Sequence, residues 1–142
     1  ERIVMMVQQE VADRLTAAED TKAYGAMSVY VQYHAEPEVI AYVSNNVFLP
    51  PPEVSSAIVR LMIRSAPPVE VLSEKAFFNI VHCGFGRRRK TLLNSLTGCP
   101  PLNLTREQVS QVLSQADIDP IRRAETLSLE EFARITRSLD LP

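Results

Sequence analysis

Asn46-Val-Phe-Leu-Pro-Pro-Pro-Glu-Val-Ser-Ser-Ala-Ile-Val-Arg60 is the stretch on which the reading of the whole chain turns. It closes one strand, crosses a loop that carries a single aromatic, Phe48, and enters a second strand. Pro50, Pro51 and Pro52 each lack a backbone donor and hold φ at about −65°, and Leu49 ahead of them is steered away from helical geometry. The sequence therefore predicts a stiff, extended loop with Phe48 on its leading edge. Two roles are open to that ring. It is either a plug packed on its own domain, the common fate of Phe, or a ledge on which a flat ligand such as a nucleobase lies.

Working outward, Glu38 to Val43 reads as the strand before the loop, and Ala57, Val59, Leu61 and Ile63 form one apolar face of the strand after it. The two make an antiparallel hairpin. Arg60 and Arg64 on the opposite face place the second strand towards a sheet edge. Ile3-Val-Met-Met-Val7 is a continuous apolar run, the pattern of a strand covered on both faces in a parallel sheet. Such a strand needs neighbours on both sides, so the chain reads as cut from a larger protein whose earlier strands are missing. Gln8 to Leu15 has helical composition with Val11 and Leu15 four apart, residues 19–23 are a polar connection, and Tyr24 to His34 is a second helix with Met27, Tyr30 and Val31 on one face.

At Ser65-Ala-Pro-Pro68 the apolar period changes from two to 3.6, which marks the boundary between residues 1–66 and 67–142. Phe77, Ile80 and Val81 mark one helix, Gly84-Phe-Gly86 a break, and Leu92, Leu93 and Leu96 another helix. Thr105 with Gln108 and Ser128 with Glu131 are capping boxes ahead of two more helices, and Asp119-Pro120 is a natural start for a short one between them. The second part is read as all-helical.

With 15 basic against 17 acidic residues and a pI near 5.7, the chain as a whole makes no electrostatic case for nucleic acid, so any such case rests on local clusters. Cys83 and Cys99 do not amount to a disulfide framework, and reduced thiols in a cytoplasmic protein are the default. With only His34 and His82 beside them there is no zinc spacing, and no metal site is expected. No apolar run approaches the roughly 18 residues of a membrane helix, and no signal-peptide pattern opens the chain.

Arg87-Arg-Arg-Lys90 is the one basic run. It is read as opening a helix after the Gly-Phe-Gly break, where some of its cations face water and suit an RNA backbone; a plain solvated helix face is the alternative. At a helix N-terminus these like charges would oppose the macrodipole. Arg122-Arg123 is a weaker second cluster. Gly84-Phe-Gly86 is no dinucleotide loop, since no strand precedes it and position 89 is Arg. Glu10 and Asp13 read as solvent charges, and His82 beside Cys83 as packing, because helical neighbours diverge.

Taken together, Val7-Gln-Gln-Glu-Val-Ala-Asp-Arg14, Lys22-Ala-Tyr-Gly25, Ser28-Val29, the stretch from Phe48 to Val59, Gly86-Arg-Arg-Arg-Lys-Thr-Leu-Leu-Asn94 and Ile118-Asp-Pro-Ile-Arg-Arg-Ala-Glu-Thr-Leu-Ser128 resemble the small-subunit ribosomal RNA adenine dimethyltransferases, the KsgA/RsmA family. The resemblance covers nearly the whole chain, in order. It implies an α/β plus all-α protein: the carboxyl-terminal part of a doubly wound, Rossmann-like methyltransferase sheet in residues 1–66, then a helical rRNA-docking domain in residues 67–142. It further implies methyl transfer from S-adenosylmethionine to N6 of two adjacent adenines near the 3′ end of small-subunit rRNA. Phe48 matches the ring that stacks on the flipped adenine, Leu49, Pro50, Pro51 and Pro52 its substrate loop, and Arg87, Arg88, Arg89, Lys90, Arg122 and Arg123 the RNA contacts. The implied partner is small-subunit rRNA in the small ribosomal subunit.

The family's glycine-rich cofactor loop, its acidic ribose ligand and its Asn-Leu-Pro-Tyr motif do not occur in these 142 residues. The expectation is that they lie upstream of Glu1, that this chain by itself neither binds S-adenosylmethionine tightly nor methylates RNA, and that its sheet invites self-association. A ribosome-binding or assembly module without catalysis is the alternative, and a helical DNA-binding domain around Arg87 to Lys90 is the weakest, since it leaves Phe48 without a role.

Overall fold

The computed structural model describes residues 1–139. They fall into two compact units, Glu1–Ala18 with Lys22–Pro67, and Glu19–Thr21 with the residues from Pro68 onward.

The first unit is built from β1 (Arg2–Gln8), α1 (Gln9–Thr16), α2 (Ala26–His34), β2 (Ala35–Val43) and β3 (Ser56–Ile63). The sheet order is β1-β3-β2, with both pairings antiparallel. The β2–β3 pairing is the expected hairpin, with an irregularity between Val39 and Ala41. One expectation is corrected. β3 is the central strand: Arg60 on it, and Arg64 just past its end, are tolerated because Glu38 and Glu36 on the neighbouring strand neutralise them, the second pair at 2.9 Å. β1 pairs antiparallel with β3, and Ile3, Val4 and Met6 stand about half exposed.

One sheet face packs on α1, where Ala12, Leu15, Ala35, Ala57, Val59 and Leu61 form a buried cluster flanked by Met5, Val7, Val11, Val31 and Val39. Alternation puts every second residue of each strand on that face. The carbonyls at the end of α1 have no helical partner. Side chains of α2 supply it: buried Ser28 donates to the Arg14 carbonyl, and the Gln32 amide donates to the carbonyls of Leu15 and Ala17 at 3.1 and 2.8 Å.

The second unit contains α3 (Glu74–Gly86), α4 (Leu92–Leu96), α5 (Arg106–Gln115) and α6 (Leu129–Leu139). Phe77, Ile80, Val81, Leu92, Leu96, Val109, Leu113, Leu127, Phe132 and Ile135 are buried at its centre. Both capping boxes form: Thr105 and Gln108 exchange bonds of 2.8 and 3.2 Å, and Ser128 and Glu131 bonds of 2.9 and 3.2 Å. Gly84-Phe-Gly86 is not a break, because α3 runs through it. Gly84 is there for room instead, since a Cβ at that position would come within 3.1 Å of the Ala124 side chain. Asp119-Pro120 starts a turn and no helix; Asp119 accepts from the Ile121 N–H as a cap would, and only a single 3-10 turn follows at Ala124–Thr126.

The expectation of reduced thiols is also overturned. Cys83 on α3 and Cys99 after α4 are joined as a disulfide, with Cα atoms 5.9 Å apart and a sequence separation of 16. The bridge closes the loop that carries the basic run and α4. For a loop of this length, reduction is expected to cost about 3 kcal/mol of stability. Chemical unfolding with and without reductant, alongside thiol titration, measures it; superimposable curves would remove the bridge from the stability of this unit.

Candidate nucleic-acid interface

The loop after β2 is tied by its own polar groups. Ser44 Oγ accepts from the Asn46 N–H at 3.3 Å, the Asn45 carbonyl accepts from the Phe48 N–H at 3.4 Å, and the Asn45 amide reaches across to the Pro52 carbonyl at 3.0 Å. The Leu49–Pro50 peptide is cis. Phe48 is half-buried, Pro50, Pro51 and Pro52 are exposed, and Leu49 is 98% exposed. The loop thus presents Leu49 as its outermost apolar group, with Phe48 behind it. Beyond the loop, Gln8, Gln9, Glu10, Asp13, Val54 and Ser55 line a cleft of about 340 Å³. Glu10 in it is paired with Arg14 at 2.6 Å.

The basic run lies differently from its sequence reading. Arg87 caps the end of α3, and Arg87 to Lys90 form an exposed turn before α4. Arg87 therefore sits at the negative end of the α3 dipole, where a cation stabilises the helix, while Lys90 directly precedes the Thr91 cap of α4; the run joins two helices and does not form the first turn of one. The Lys90 N–H closes the turn on the Arg87 carbonyl at 2.8 Å.

Arg122 is committed to the fold. Its guanidinium donates to both oxygens of Glu131, at 2.6 and 3.1 Å, and to the hydroxyl and carbonyl of Thr126, at 3.2 and 2.8 Å. These bonds occupy four of the five N–H donors of an arginine. The geometry gives it a structural role, while neighbouring Arg123 is exposed. Phe48 and its loop belong to the first unit, and Arg87 to Lys90, Arg122 and Arg123 to the second. Sequence reasoning passed over Asn94, whose side-chain oxygen accepts from Arg106 at 2.8 Å. A cation in the first turn of α5, against the helix dipole, was the available signal.

The β1-to-α1 turn is Gln8-Gln9, without glycine, and the cleft beside it is lined largely by polar and acidic groups.

The fold is shared with a dimethyladenosine transferase from Plasmodium falciparum, at a TM-score of 0.74 and 24% identity over 95% of this chain and 55% of that one. It is also shared with the 23S rRNA methyltransferase ErmE, at 0.66 and 24% over 99% and 55%. The sequence model described as ribosomal RNA adenine dimethylase matches residues 1–140, and the chain belongs to that family. Among curated relatives, ribosomal RNA small subunit methyltransferase A of Pelotomaculum thermopropionicum is 56% identical over 96% of this chain and 46% of its own length. The protein of the same name from Geobacillus sp. (strain WCH70) is 47% identical over 96% and 47%. The chain spans about half the length of the curated relatives it matches.

The Arg122–Glu131 pair has a pH signature. The hydrogen bond from Arg122 holds the Glu131 carboxyl below its ordinary value of 4.5, against the opposing effect of desolvation, and the Ser128 N–H adds to the lowering. A depressed carboxylate contributes stability that is complete above the unfolded value and is lost as pH falls through the folded one. Glu131→Gln is expected to cost about 2 kcal/mol at neutral pH. In urea melts from pH 7 downward, that difference should shrink below pH 4.5; a difference constant with pH would mean that the carboxylate charge is not what matters.

Proposed function

We propose that this chain is the base-engaging and RNA-docking part of an rRNA adenine dimethyltransferase acting on two adjacent adenines near the 3′ end of small-subunit rRNA, in the cytoplasm, during small-subunit maturation. Membership of the ribosomal RNA adenine dimethylase family carries this reading, supported by the loop that presents an exposed Leu49 beside a half-buried Phe48 and by the exposed turn of Arg87 to Lys90. S-adenosylmethionine would be the methyl donor, held by residues outside these 142. The chain alone would not transfer methyl groups.

The chemistry explains why such a loop is needed. An exocyclic adenine amine is a weak nucleophile because its lone pair is delocalised into the ring, so the base must leave its stack and be held with the amine aligned. Phe48 supplies one stacking face, and Leu49 with Pro50, Pro51 and Pro52 forms the edge over which the base is drawn. The cations of the 87–90 turn meet phosphates, which positions the RNA without reading its sequence. Arg123 adds a peripheral contact.

Two outcomes check this in the full-length protein that carries this chain. Stacking on an aromatic is worth roughly 1–3 kcal/mol per base, so Phe48→Ala should lower methyl transfer to undermethylated small subunits by about 5- to 150-fold, with Phe48→Tyr close to wild type. Equal activity of the alanine variant would return Phe48 to a packing role. Replacing Arg87, Arg88, Arg89 and Lys90 by Gln should weaken subunit binding and flatten its salt dependence. Binding that keeps its salt slope would remove the turn from the interface.

A further inference from the structure

Six arginines, at positions 14, 60, 64, 122, 134 and 137, are ion-paired with glutamates. Arg87 and Arg106 are not; among the described residues neither meets a carboxylate, and both are exposed. They converge instead on one neutral residue. Asn94 accepts from Arg87 Nη1 on its backbone carbonyl at 3.3 Å and from Arg106 Nη1 on its side-chain oxygen at 2.8 Å. Two guanidiniums drawn to one residue, without a carboxylate bonded to either, repel each other, and Arg106 also faces the positive end of the α5 dipole. An anion between or beside them would relieve both costs.

The bracket is firmly mounted. The Asn94 N–H rests on Thr91 Oγ1 at 3.4 Å, and Ser95 Oγ donates to the Arg87 carbonyl at 3.4 Å. The N–H groups of Leu92 and Leu93 donate to the carbonyls of Arg122 and Pro120, at 2.7 and 3.2 Å. Arg106 also lines a groove of about 480 Å³ with Leu93, Glu107, Ser110, Gln111 and Ser114. Its hydroxyls and amide suit phosphate oxygens and ribose 2′-hydroxyls. Past Ser110 and Ser114 a second stretch is lined by Asp117 and Asp119, which repel phosphate, so the anion belongs away from it, at the Arg106 end, where Glu107 is the one opposing charge among the groove's lining residues.

We infer that Arg106 is a further phosphate-binding residue of this surface, that Asn94 is the positioning residue coupling it to the basic turn, and that the ligand is the sugar-phosphate backbone of ribosomal RNA. The inference rests on the reading of the 87–90 turn as an RNA contact and extends that contact onto α5.

The test measures binding of the full-length protein to undermethylated small ribosomal subunits across a salt series. Arg106→Gln is expected to reduce the steepness of log K against log salt by about 0.7–0.9, one phosphate contact, and Arg106→Lys to restore it. Asn94→Ala should flatten the slope in the wild-type background and leave it unchanged in the Arg106→Gln background, a result that a general loss of stability would not give. An unchanged slope for Arg106→Gln, with a flattened one for the four-residue turn variant, overturns this inference and leaves the turn in place. Unchanged slopes in both overturn the reading beneath it. Weaker binding by Arg106→Gln at an unaltered slope assigns the residue to a ribosomal-protein contact and likewise overturns the inference.

Discussion

The bidentate bond between Arg122 and Glu131 is the interaction on which the helical unit's exposed surface depends. Glu131 holds Arg122 and at the same time closes the capping box of α6 through the Ser128 N–H. Arg122 in turn fixes the 119–122 turn, whose carbonyls receive the first N–H groups of α4. A five-residue helix has too few internal bonds to hold itself. It is stable here because its unsatisfied donors end on a turn that an ion pair has already ordered. Asn94 and the basic turn inherit their positions from that chain of bonds.

The first unit solves a different problem with the same means. Antiparallel pairing places Ala57, Val59 and Leu61 towards α1, and Arg60 on β3 and Arg64 just after it are offset by glutamates on β2. Ser28 and Gln32 of α2 then satisfy the open carbonyls at the end of α1. What this frame carries outward is a loop tied by Ser44 and Asn45, with an exposed leucine at its front and a half-buried aromatic behind it. One unit thus exposes an apolar loop tip, the other a turn of four cations.

The parts of the fold legible in the sequence were those set by local chemistry. The hairpin around Phe48, both capping boxes, α1, α4 and the apolar faces of α3 and α6 follow from period and from cap residues, which act within a turn or two. The errors share a cause. Arg60 and Arg64 suggested an edge strand because their glutamate partners lie across the sheet. Gly84-Phe-Gly86 suggested a break because the close approach of Ala124, which needs the missing Cβ, is a tertiary contact. That misreading put the basic run in the first turn of a helix, whereas it forms the turn between two.

The sequence by itself determined which residue types stand together: an aromatic before three prolines, four consecutive cations, and the ordered segments that place the chain in its family. Only the tertiary structure decided how those residues act. It withdrew Arg122 into an ion pair, joined Cys83 to Cys99, put Leu49 at the loop's tip and brought Arg106 to Asn94 beside Arg87. The reason is physical. Propensity and capping are interactions between near neighbours in the chain, whereas the partner of a guanidinium or a thiol is whatever folding brings within about 3 Å, and adjacent letters such as Arg122 and Arg123 can end with opposite fates.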